Sequence, residues 1–372
     1  MKVHHSLPVV LFAALLIMAC LPGGGSAAQA DPTPTPLAVP TTPVAPTTAP
    51  QENLGPYTFP PGINPLTGLP LDDPARARLR PVAVKISNAP PLVRPQAGIG
   101  QADVVFEHYA EGGLTRFTAL FLSELPRRVG SVRSARLIDV EIPEMFESYL
   151  VYAGSSGGVR ERIEASAFAD RAFYGVETGP PAYFRDPAIE VPHNLFADVI
   201  AVHELAESRG VASPAPLFYS ALAFGAEIPP GGSPAATIDI QYRASGAYWQ
   251  YDADTGLYAR WSDGAPHFDA TTGEQVTAAN VVVLYANHVE DVTIVENEFQ
   301  GHQSYSIQVQ LWGSAPAVMF RDGQRYEGRW ERPDPARMFT LRDTQGDIFR
   351  LRPGVTFFQL VPLGFDSLAT TP

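Results

Sequence analysis

The sequence is poor in cysteine and lysine. It has 372 residues and a single cysteine, which excludes an intramolecular disulfide and a multi-cysteine metal site. Lys2 and Lys85 are the only lysines among 26 basic residues, and 39 acidic residues bring the formal net charge to −13. The sequence has no cluster of basic residues to offset this excess of acidic residues, so we do not expect non-specific binding to nucleic-acid phosphates. We therefore predict no nucleic-acid partner.

Hydrophobic runs are also scarce, and one clear run lies at the N-terminus over residues 7–19, interrupted only by Pro8. A helix of this length cannot span about 30 Å of hydrocarbon, but it suits the core of a signal peptide. The run ends in Ile17-Met18-Ala19-Cys20, which resembles the bacterial lipobox. The resemblance implies that residues 1–19 are removed and that the Cys20 sulfur carries diacylglycerol. The alternative is an ordinary secretory peptide with a chance cysteine.

Residues 20–62 contain no lysine or arginine and include a tract of Pro, Thr and Ala. Such a stretch has too little apolar surface to offset chain entropy, so we predict a disordered tether. Pro-rich chain extends by up to about 3 Å per residue. The tether would hold a folded part away from the outer face of the bacterial cytoplasmic membrane, where the lipid anchor would be inserted.

The remaining chain predicts an α+β protein whose first part is an α/β domain over residues 63–225. Strand and helix patterns alternate here. Residues 195–209 have helical periodicity, with Asn194 as the predicted N-cap and Gly210 as the stop. The apolar stripe of this predicted helix consists of Leu195, Val199, Val202, Leu205 and Ala206.

The second part, residues 235–366, predicts an all-β domain of sandwich or barrel-like type. Its short apolar segments are separated by turn signals such as Asp322-Gly323, a spacing typical of such folds. The predicted strands cover residues 237–243, 247–252, 257–261, 280–286, 305–312, 317–320, 325–330, 348–351 and 355–360. Residues 221–234, rich in Gly and Pro, are the predicted boundary between the two parts.

A predicted hairpin turns at Gly112-Gly113 and brings charged residues together. A two-residue turn would place Tyr109 opposite Arg116, and side chains alternate between the two faces. One face would then carry Glu107, Tyr109, Glu111, Arg116 and Thr118, and the other Phe106, His108, Ala110, Thr115, Phe117 and Ala119. Arg116 would reach both glutamates. Either a structural ion-pair cluster or a polar ligand site fits this pattern.

Arg133 and Arg136 follow Val129-Gly130-Ser131 at a predicted helix start. Backbone N–H groups there and two guanidinium groups would suit a phosphate or carboxylate. The alternative is that the two arginines neutralise acidic neighbours, namely Glu107, Glu111, Asp139 or Glu141.

Glu107 and Glu111 do not form a glycosidase pair on a straight strand, where they would lie about 13 Å apart. Retaining enzymes need their two carboxyl groups about 5–5.5 Å apart, and inverting enzymes about 6.5–9.5 Å. A match to the nucleophile motif G-x-S-x-G follows a predicted strand, at Gly154-Ser155-Ser156-Gly157-Gly158. Asp186 and His193 are the only candidates for the acid and the histidine of a catalytic triad. No oxyanion-hole segment accompanies it. We assign no catalytic residue.

The histidines give little support for a metal site. His193-Asn194 stands at the predicted helix start, His203-Glu204 lacks the second histidine of a zincin motif, and His108 fits a satisfied core histidine. No nucleotide-binding motif is present. We therefore predict neither a metal nor a cofactor.

Several long strings resemble the YerB-like lipoprotein family of bacteria. The strings are Asn64-Pro65-Leu66-Thr67-Gly68-Leu69, Arg80-Pro81-Val82-Ala83-Val84-Lys85, Glu111-Gly112-Gly113-Leu114-Thr115-Arg116-Phe117 and Val129-Gly130-Ser131-Val132-Arg133-Ser134-Ala135-Arg136. The resemblance covers about residues 60–365 and implies a lipid-anchored envelope protein with two adjoining domains of unknown function. It carries no known reaction. Ser131 and Gly158 depart from the family pattern.

The sequence thus favours a lipid-anchored binding or scaffold protein whose partner is a polar envelope ligand, such as a peptidoglycan fragment, or an envelope protein. The candidate ligand-binding residues are Glu107, Glu111, Arg116, Arg133, Arg136, His193 and Asn194. An envelope hydrolase acting on cell-wall glycan or peptide is the alternative. A solute-binding lipoprotein would need two similar α/β lobes, which the all-β second part does not supply.

Overall fold

The structure is a computed structural model that describes residues 53–211 and 221–372. The predicted signal peptide, Cys20 and residues 20–52 of the predicted tether lie outside these residues. Residues 53–62 of the predicted tether are described, and there Leu54 is buried and forms an isolated bridge to Phe224. Of the described residues, 42% lie in strands and 15% in helices. Strands therefore dominate the predicted combination of α and β elements.

The first half of the described chain alternates strands and helices. The strands are β1 (Val82–Ser87), β2 (Val104–Tyr109), β3 (Thr115–Phe121), β4 (Val129–Gly130), β5 (Tyr149–Tyr152), β6 (Ala172–Tyr174), β7 (Tyr183–Arg185) and β8 (Leu195–Ala197). The α-helices are α1 (Ile138–Phe146), α2 (Gly157–Glu164), α3 (Gly175–Thr178) and α4 (Val199–Ser208). Short 3-10 turns cover Pro74–Arg78, Pro91–Val93, Ile99–Gln101, Glu111–Gly113 and Ala169–Arg171.

The second half has strands and no helix within residues 221–372. The strands up to residue 299 are β9 (Ser233–Pro234), β10 (Thr237–Gln241), β11 (Gly246–Asp252), β12 (Leu257–Ser262), β13 (Ala265–Pro266), β14 (Thr277–Ala278) and β15 (Asn280–Phe299). The later strands are β16 (His302–Gln310), β17 (Gly313–Arg321), β18 (Gln324–Arg332), β19 (Thr340–Asp343), β20 (Thr356–Pro362) and β21 (Leu368–Thr371).

One large sheet draws on both halves of the chain. Its strand order is β19-β18-β17-β15-β20-β2-β3-β1-β5-β6, with β16 beside β15 and β9 beside β18. The halves meet where β2 runs parallel to β20, with Val104 opposite Thr356. A second sheet has the order β13-β12-β11-β10-β21, with β14 on β12, and a third has the order β4-β8-β7. The two predicted parts therefore contribute to one sheet.

The central strands of the large sheet are buried on both faces. In β1, Val84 belongs to a cluster on one face, and its neighbour Ala83 belongs to a second cluster on the other. The same alternation separates Val105 from Phe106 in β2. Burial on both faces favours nearly continuous Val, Ile and Phe rather than apolar–polar alternation. The few polar residues of these strands are consequently buried and must find partners inside the protein.

The predicted helix over residues 195–209 was wrong at its start. Its first residues form strand β8, and α4 begins only after Asp198, whose carboxylate accepts a hydrogen bond from the Ala201 N–H at 3.0 Å. Asn194 is therefore not the N-cap, and His193 does not stand at a helix start. Asp caps as well as Asn does. The pairing of β8 with β7 is a tertiary contact that local periodicity does not reveal.

The predicted register of the β2–β3 hairpin was wrong by one residue. His108, not Tyr109, lies opposite Arg116, because Glu111–Gly113 forms a three-residue turn. A shift of one residue moves a whole strand face to the other side. Arg116 therefore shares a face with His108, while Glu107 lies on the opposite face.

The predicted strand over residues 348–351 was also wrong. Ile348 and Leu351 make only isolated bridges, to Arg342 and Phe224, and the nearest strand before them, β19, ends at Asp343. Strand β15 runs thirteen residues beyond the predicted end at residue 286, to Phe299. Its extension mixes polar and apolar residues, with Ile294 in a buried cluster, and pairs with β16, so the hairpin projects past the region where β15 also pairs with β17 and β20.

Candidate functional site

A fully buried ionic cluster lies on the His108 face of the hairpin. Lys85 Nζ lies 2.7 Å from Asp139 Oδ2 and 2.7 Å from His108 Nε2, and Thr118 donates to Asp139 Oδ1 at 2.9 Å. Burial lowers the pKa of Lys85 to about 8, and burial with the Lys85 charge lowers the pKa of His108 to about 3. Burial would raise the pKa of Asp139, but the Lys85 charge holds it below its usual range. Because all three side chains are sealed from solvent, this cluster is structural.

Glu107, a predicted ligand residue, is also sealed from solvent. Its Oε2 lies 2.7 Å from Arg260 Nη2, and its Oε1 accepts hydrogen bonds from Asn88 and Thr115 at 3.1 and 2.8 Å. Arg260 is fully buried in β12, so this ion pair joins the large sheet to the second sheet. Glu107 therefore has no free oxygen for a ligand from solvent.

Glu111 and two of the predicted arginines form a partly buried group at the turn of the hairpin. Glu111 Oε1 lies 2.9 Å from Arg116 Nη2, and Arg136 donates to both carboxylate oxygens, through Nε at 2.6 Å. Burial would raise the pKa of Glu111, but the Arg136 hydrogen bonds and the two guanidinium charges lower it to about 2. Arg136 also lies 3.5 Å from Glu296 on the β15 extension. Glu111, Arg116 and Arg136 are thus mutually paired.

Arg133 stands apart from this group, although the sequence placed it beside Arg136. Its N–H donates to the Lys85 carbonyl and its carbonyl accepts from the Ala153 N–H, both at 2.9 Å. The segment around Arg133 is therefore extended between β1 and β5, and α1 begins only at Ile138. Its guanidinium makes no hydrogen bond or ion pair with any described residue. Burial and the charge of Arg136 lower its pKa, and the charge of Glu111 opposes them.

The Arg133 side chain lines a cleft at the carboxyl ends of parallel strands. The order β1-β5-β6 is parallel, and the cleft is formed where β5 and β6 end, at Gly154 and Gly175. In open α/β sheets this edge is where ligands generally bind, because the loops that follow the strands diverge there. The cleft has a volume of about 660 Å³, within the usual range for small-molecule sites.

The cleft is positively charged. Arg133 and Arg185 line it, Ser134 adds a hydroxyl group, and no carboxylate is among its described lining residues. Arg185 ends β7 and donates from Nη1 to Asn194 Oδ1 at 2.6 Å. The predicted ligand residue Asn194 is buried and therefore positions Arg185 rather than facing solvent. Apolar walls from Val132, Phe184, Pro192 and Leu195 complete the cleft.

His193 lies beside the cleft but lines a smaller neighbouring hollow of about 250 Å³. Its Nδ1 is buried without a partner among the described residues. Burial and the nearby charge of Arg133 lower its pKa, with Glu190 opposing them. The structure thus divides the predicted site residues among four places, and only Arg133 and Asn194 contribute to the cleft. Sequence reasoning missed Arg185, which belongs to no motif.

The described contacts do not assemble a serine triad around Ser156. The Ser156 hydroxyl donates to Glu296 Oε1 at 3.2 Å rather than to a histidine. Asp186 is held by Arg128 at 2.7 Å and by the Ala188 N–H, and not by His193. Within residues 53–211 and 221–372 there is also no group of three His, Cys, Asp or Glu side chains that could hold a metal ion. Over the same residues, no helix is both long and apolar enough to cross a membrane.

Comparisons with known proteins match both halves of the chain. The model of the "Protein of unknown function (DUF3048) N-terminal domain" matches residues 66–212, and that of the corresponding C-terminal domain matches residues 238–358. "Putative lipoprotein YerB" of Bacillus subtilis (strain 168) is 30% identical over 302 residues, which cover 80% of this chain and 86% of that protein. The crystal structure of YerB from Bacillus subtilis superposes with a TM-score of 0.68 at 27% identity, over 83% of this chain and 99% of the other.

Proposed function

This chain belongs to the DUF3048 family, and we propose that it is a lipid-anchored binding protein of the bacterial cell envelope. The family assignment confirms the predicted resemblance to the YerB-like lipoproteins. Its ligand carries a carboxylate or phosphate group. The ligand occupies the cleft at the ends of β5 and β6, where Arg133 and Arg185 hold its anionic group.

The N-terminal sequence and the relative's name support the proposed anchor. Cys20 follows a signal-peptide core in a lipobox-like string, and the relative is named a lipoprotein. A diacylated cysteine supplies the two-chain membrane attachment that a single acyl chain does not. The folded part then stands on the outer face of the cytoplasmic membrane at the end of the Pro-rich tether, within reach of cell-wall polymers and envelope proteins.

The observation that supports ligand binding is the unpaired guanidinium of Arg133. Most arginines of the protein pair with a carboxylate or a carbonyl, whereas Arg133 and Arg185 meet no carboxylate in the cleft. A partly buried cation without a counter-ion is unfavourable. An incoming anion relieves this cost, and a guanidinium group holds a carboxylate or phosphate through two parallel hydrogen bonds. Free carboxylates of peptidoglycan stem peptides, phosphates of wall polymers and an acidic side chain of a protein partner all have this chemistry.

Calorimetric titration of the full-length protein in detergent tests the proposal. The probes are a disaccharide tetrapeptide from peptidoglycan, a glycerol-phosphate oligomer and inorganic phosphate, which separate the sources of the anion. Charge-assisted hydrogen bonds contribute about 1.5–3 kcal/mol each, so R133A/R185A should weaken binding by about tenfold or more. The matched control is R78A, which removes an exposed arginine outside the cleft.

The salt dependence of binding and the affinity of the variants decide whether the anion-binding proposal holds. Binding that falls with rising salt, is lost in R133A/R185A and is kept in R78A supports the proposal, because screening acts on charge pairs at an open cleft. Equal affinity of the wild type and R133A/R185A for every probe that binds, or no binding of any probe, rejects it.

A further inference from the structure

A second cavity lies away from the arginine cleft, between the turn of the β2–β3 hairpin and the projecting β15–β16 hairpin. Its volume is about 480 Å³. Gly112 and Gly113 of the turn form one side, Ser304 and Tyr305 of β16 form another, and Arg243 closes it from the second half of the chain. None of these residues lines the arginine cleft.

Three rings line this cavity, from Tyr109, His288 and Tyr305. Tyr109 packs edge-on against His288, with ring centroids 5.8 Å apart, and against Tyr242 at 5.2 Å. The Tyr109 hydroxyl accepts a hydrogen bond from the Arg243 backbone N–H at 3.1 Å. These contacts fix the Tyr109 ring against the His288 ring, so these two rings form a prearranged wall.

Polar side chains with no partner among the described residues also line the cavity. They are the carboxylate of Glu290, the hydroxyl of Ser304 and the guanidinium of Arg243. Glu290 and Arg243 are exposed, and Ser304 is half-buried. The cavity thus offers both hydrogen-bond donors and hydrogen-bond acceptors beside aromatic rings. Its two unpaired charged groups, on Glu290 and Arg243, have opposite signs.

The glycine turn leaves room for a ligand and for Arg243. A Cβ atom on Gly113 would lie 2.9 Å from both Cβ and Cδ of Arg243, which packs across the turn. A Cβ atom on Gly112 would meet nothing within 4 Å. The tip of the turn therefore borders open space, while its second glycine allows the Arg243 stem to approach closely.

We propose that this second cavity binds a glycan segment. A pyranose ring has polarised C–H groups that pack on the negative face of an aromatic ring, and its hydroxyl groups both donate and accept hydrogen bonds. Glu290, Ser304 and Arg243 supply such partners in mixed polarity. A polyanion would meet Glu290 and Glu111, and a wholly apolar ligand would bury three unpaired polar groups at a cost.

Glu111 is not suited to act as the acid of a glycosidase in this cavity. Glu111 lines the cavity, but Arg136 and Arg116 hold its carboxylate as described above. A glycosidase needs a carboxylic acid that keeps its proton until it donates to the leaving group. Glu111 is ionised at neutral pH, since its pKa is about 2, and cannot fill that role.

Saturation-transfer NMR and calorimetry with chitotetraose, cellotetraose and maltotetraose on the full-length protein test this inference. At least one of the three should bind, and Y305A should weaken it by about tenfold because the ring face is lost. R243A, a change at an exposed side chain, should also weaken binding. The matched control is W312A, which removes an exposed aromatic side chain outside the cavity.

The test is independent of the proposed anion site. The variant R133A/R185A should bind the oligosaccharide as the wild type does, whereas Y305A should leave the binding of inorganic phosphate and of the glycerol-phosphate oligomer, which carry no sugar ring, unchanged. Failure of all three oligosaccharides to bind, or binding that Y305A and R243A leave unaltered, overturns the glycan inference and leaves the anion cleft untouched.

Discussion

The partners of the buried ionisable residues are the features of this protein that its sequence predicts least well. His108 was expected to be a satisfied core histidine, and it is buried as the acceptor of a hydrogen bond from Lys85, with its Nδ1 facing the Tyr109 carbonyl. Nothing in the local sequence indicates that Lys85 and Asp139 would meet it, because Asp139 lies 54 residues from Lys85 in a different element. Charged residues are rarely buried unless they are paired, but a single sequence does not reveal the partner.

The neutral state of His108 makes stability depend on pH. Its pKa is about 3 in the folded protein and 6.5 ordinarily, so between these values the unfolded chain binds a proton that the folded protein excludes. Stability should therefore fall as the pH drops from about 6.5 toward 3, by up to about 1.4 kcal/mol per pH unit for this group. H108Q should reduce the slope of the unfolding free energy against pH by the contribution of one proton, measured by urea unfolding between pH 7 and 4.

His302 supplies the control, because it is an exposed histidine on β16 and H302Q should leave the slope as it is. A slope remains in H108Q, since burial also lowers the pKa of His203, to about 4. Identical pH dependence in H108Q and the wild type would show that His108 is not held neutral.

At the scale of elements, the sequence predicts which segments are strands better than how they pair. The strands of the β2–β3 hairpin were placed correctly, but Gly112-Gly113 favoured a two-residue turn. Glu111 joins the turn instead, held by Arg116 and Arg136, and the register shifts by one. The partners that hold Glu111 come from β3 and from the segment before α1. A local pattern therefore could not decide between the two registers.

The two glycines of this turn should tolerate alanine unequally. Both have positive φ, +70° for Gly112 and +76° for Gly113, and alanine in that conformation costs about 1–2 kcal/mol. G112A should lose about that much stability, because its new methyl group meets open space. G113A should lose clearly more, since its methyl group meets Arg243 at 2.9 Å.

Chemical denaturation of the two variants measures the difference, with G112A as the matched control for the backbone penalty. Equal losses would mean that Arg243 moves aside freely and does not pack across the turn.

At the scale of the whole molecule, the large sheet joins residues that are far apart in the sequence. Strand β2 pairs with β20, some 250 residues later, and this parallel pairing has no local signal. The periodicity of the apolar residues indicated the α/β character of the first half and the all-β character of the second half. The sharing of one sheet between them was not, because it depends on long-range pairing. Within the site, Arg133 was visible from its motif, but the opposing Arg185 becomes apparent only when β7 and β8 pair.

The buried pair between Glu107 and Arg260 should contribute strongly to the cohesion of the two sheets. Removing one partner leaves an uncompensated buried charge, which costs about 3–5 kcal/mol. E107Q should therefore destabilise the protein by about that much. The double variant E107Q/R260M should be less destabilised than the sum of the single variants, since neither charge remains.

A double-mutant cycle in urea measures this coupling. The pair of Arg325 with the exposed Glu327 gives the reference, because E327Q should cost at most about 1 kcal/mol at the surface. Additive losses from E107Q and R260M would contradict a direct pairing across the sheets.

A co-crystal structure of the full-length protein with the peptidoglycan disaccharide tetrapeptide tests the proposed anion cleft most directly. We predict a ligand carboxylate between the guanidinium groups of Arg133 and Arg185, at hydrogen-bond distances of about 2.7–2.9 Å. Well-defined ligand density elsewhere on the protein, with the cleft at the ends of β5 and β6 holding only solvent, would contradict it.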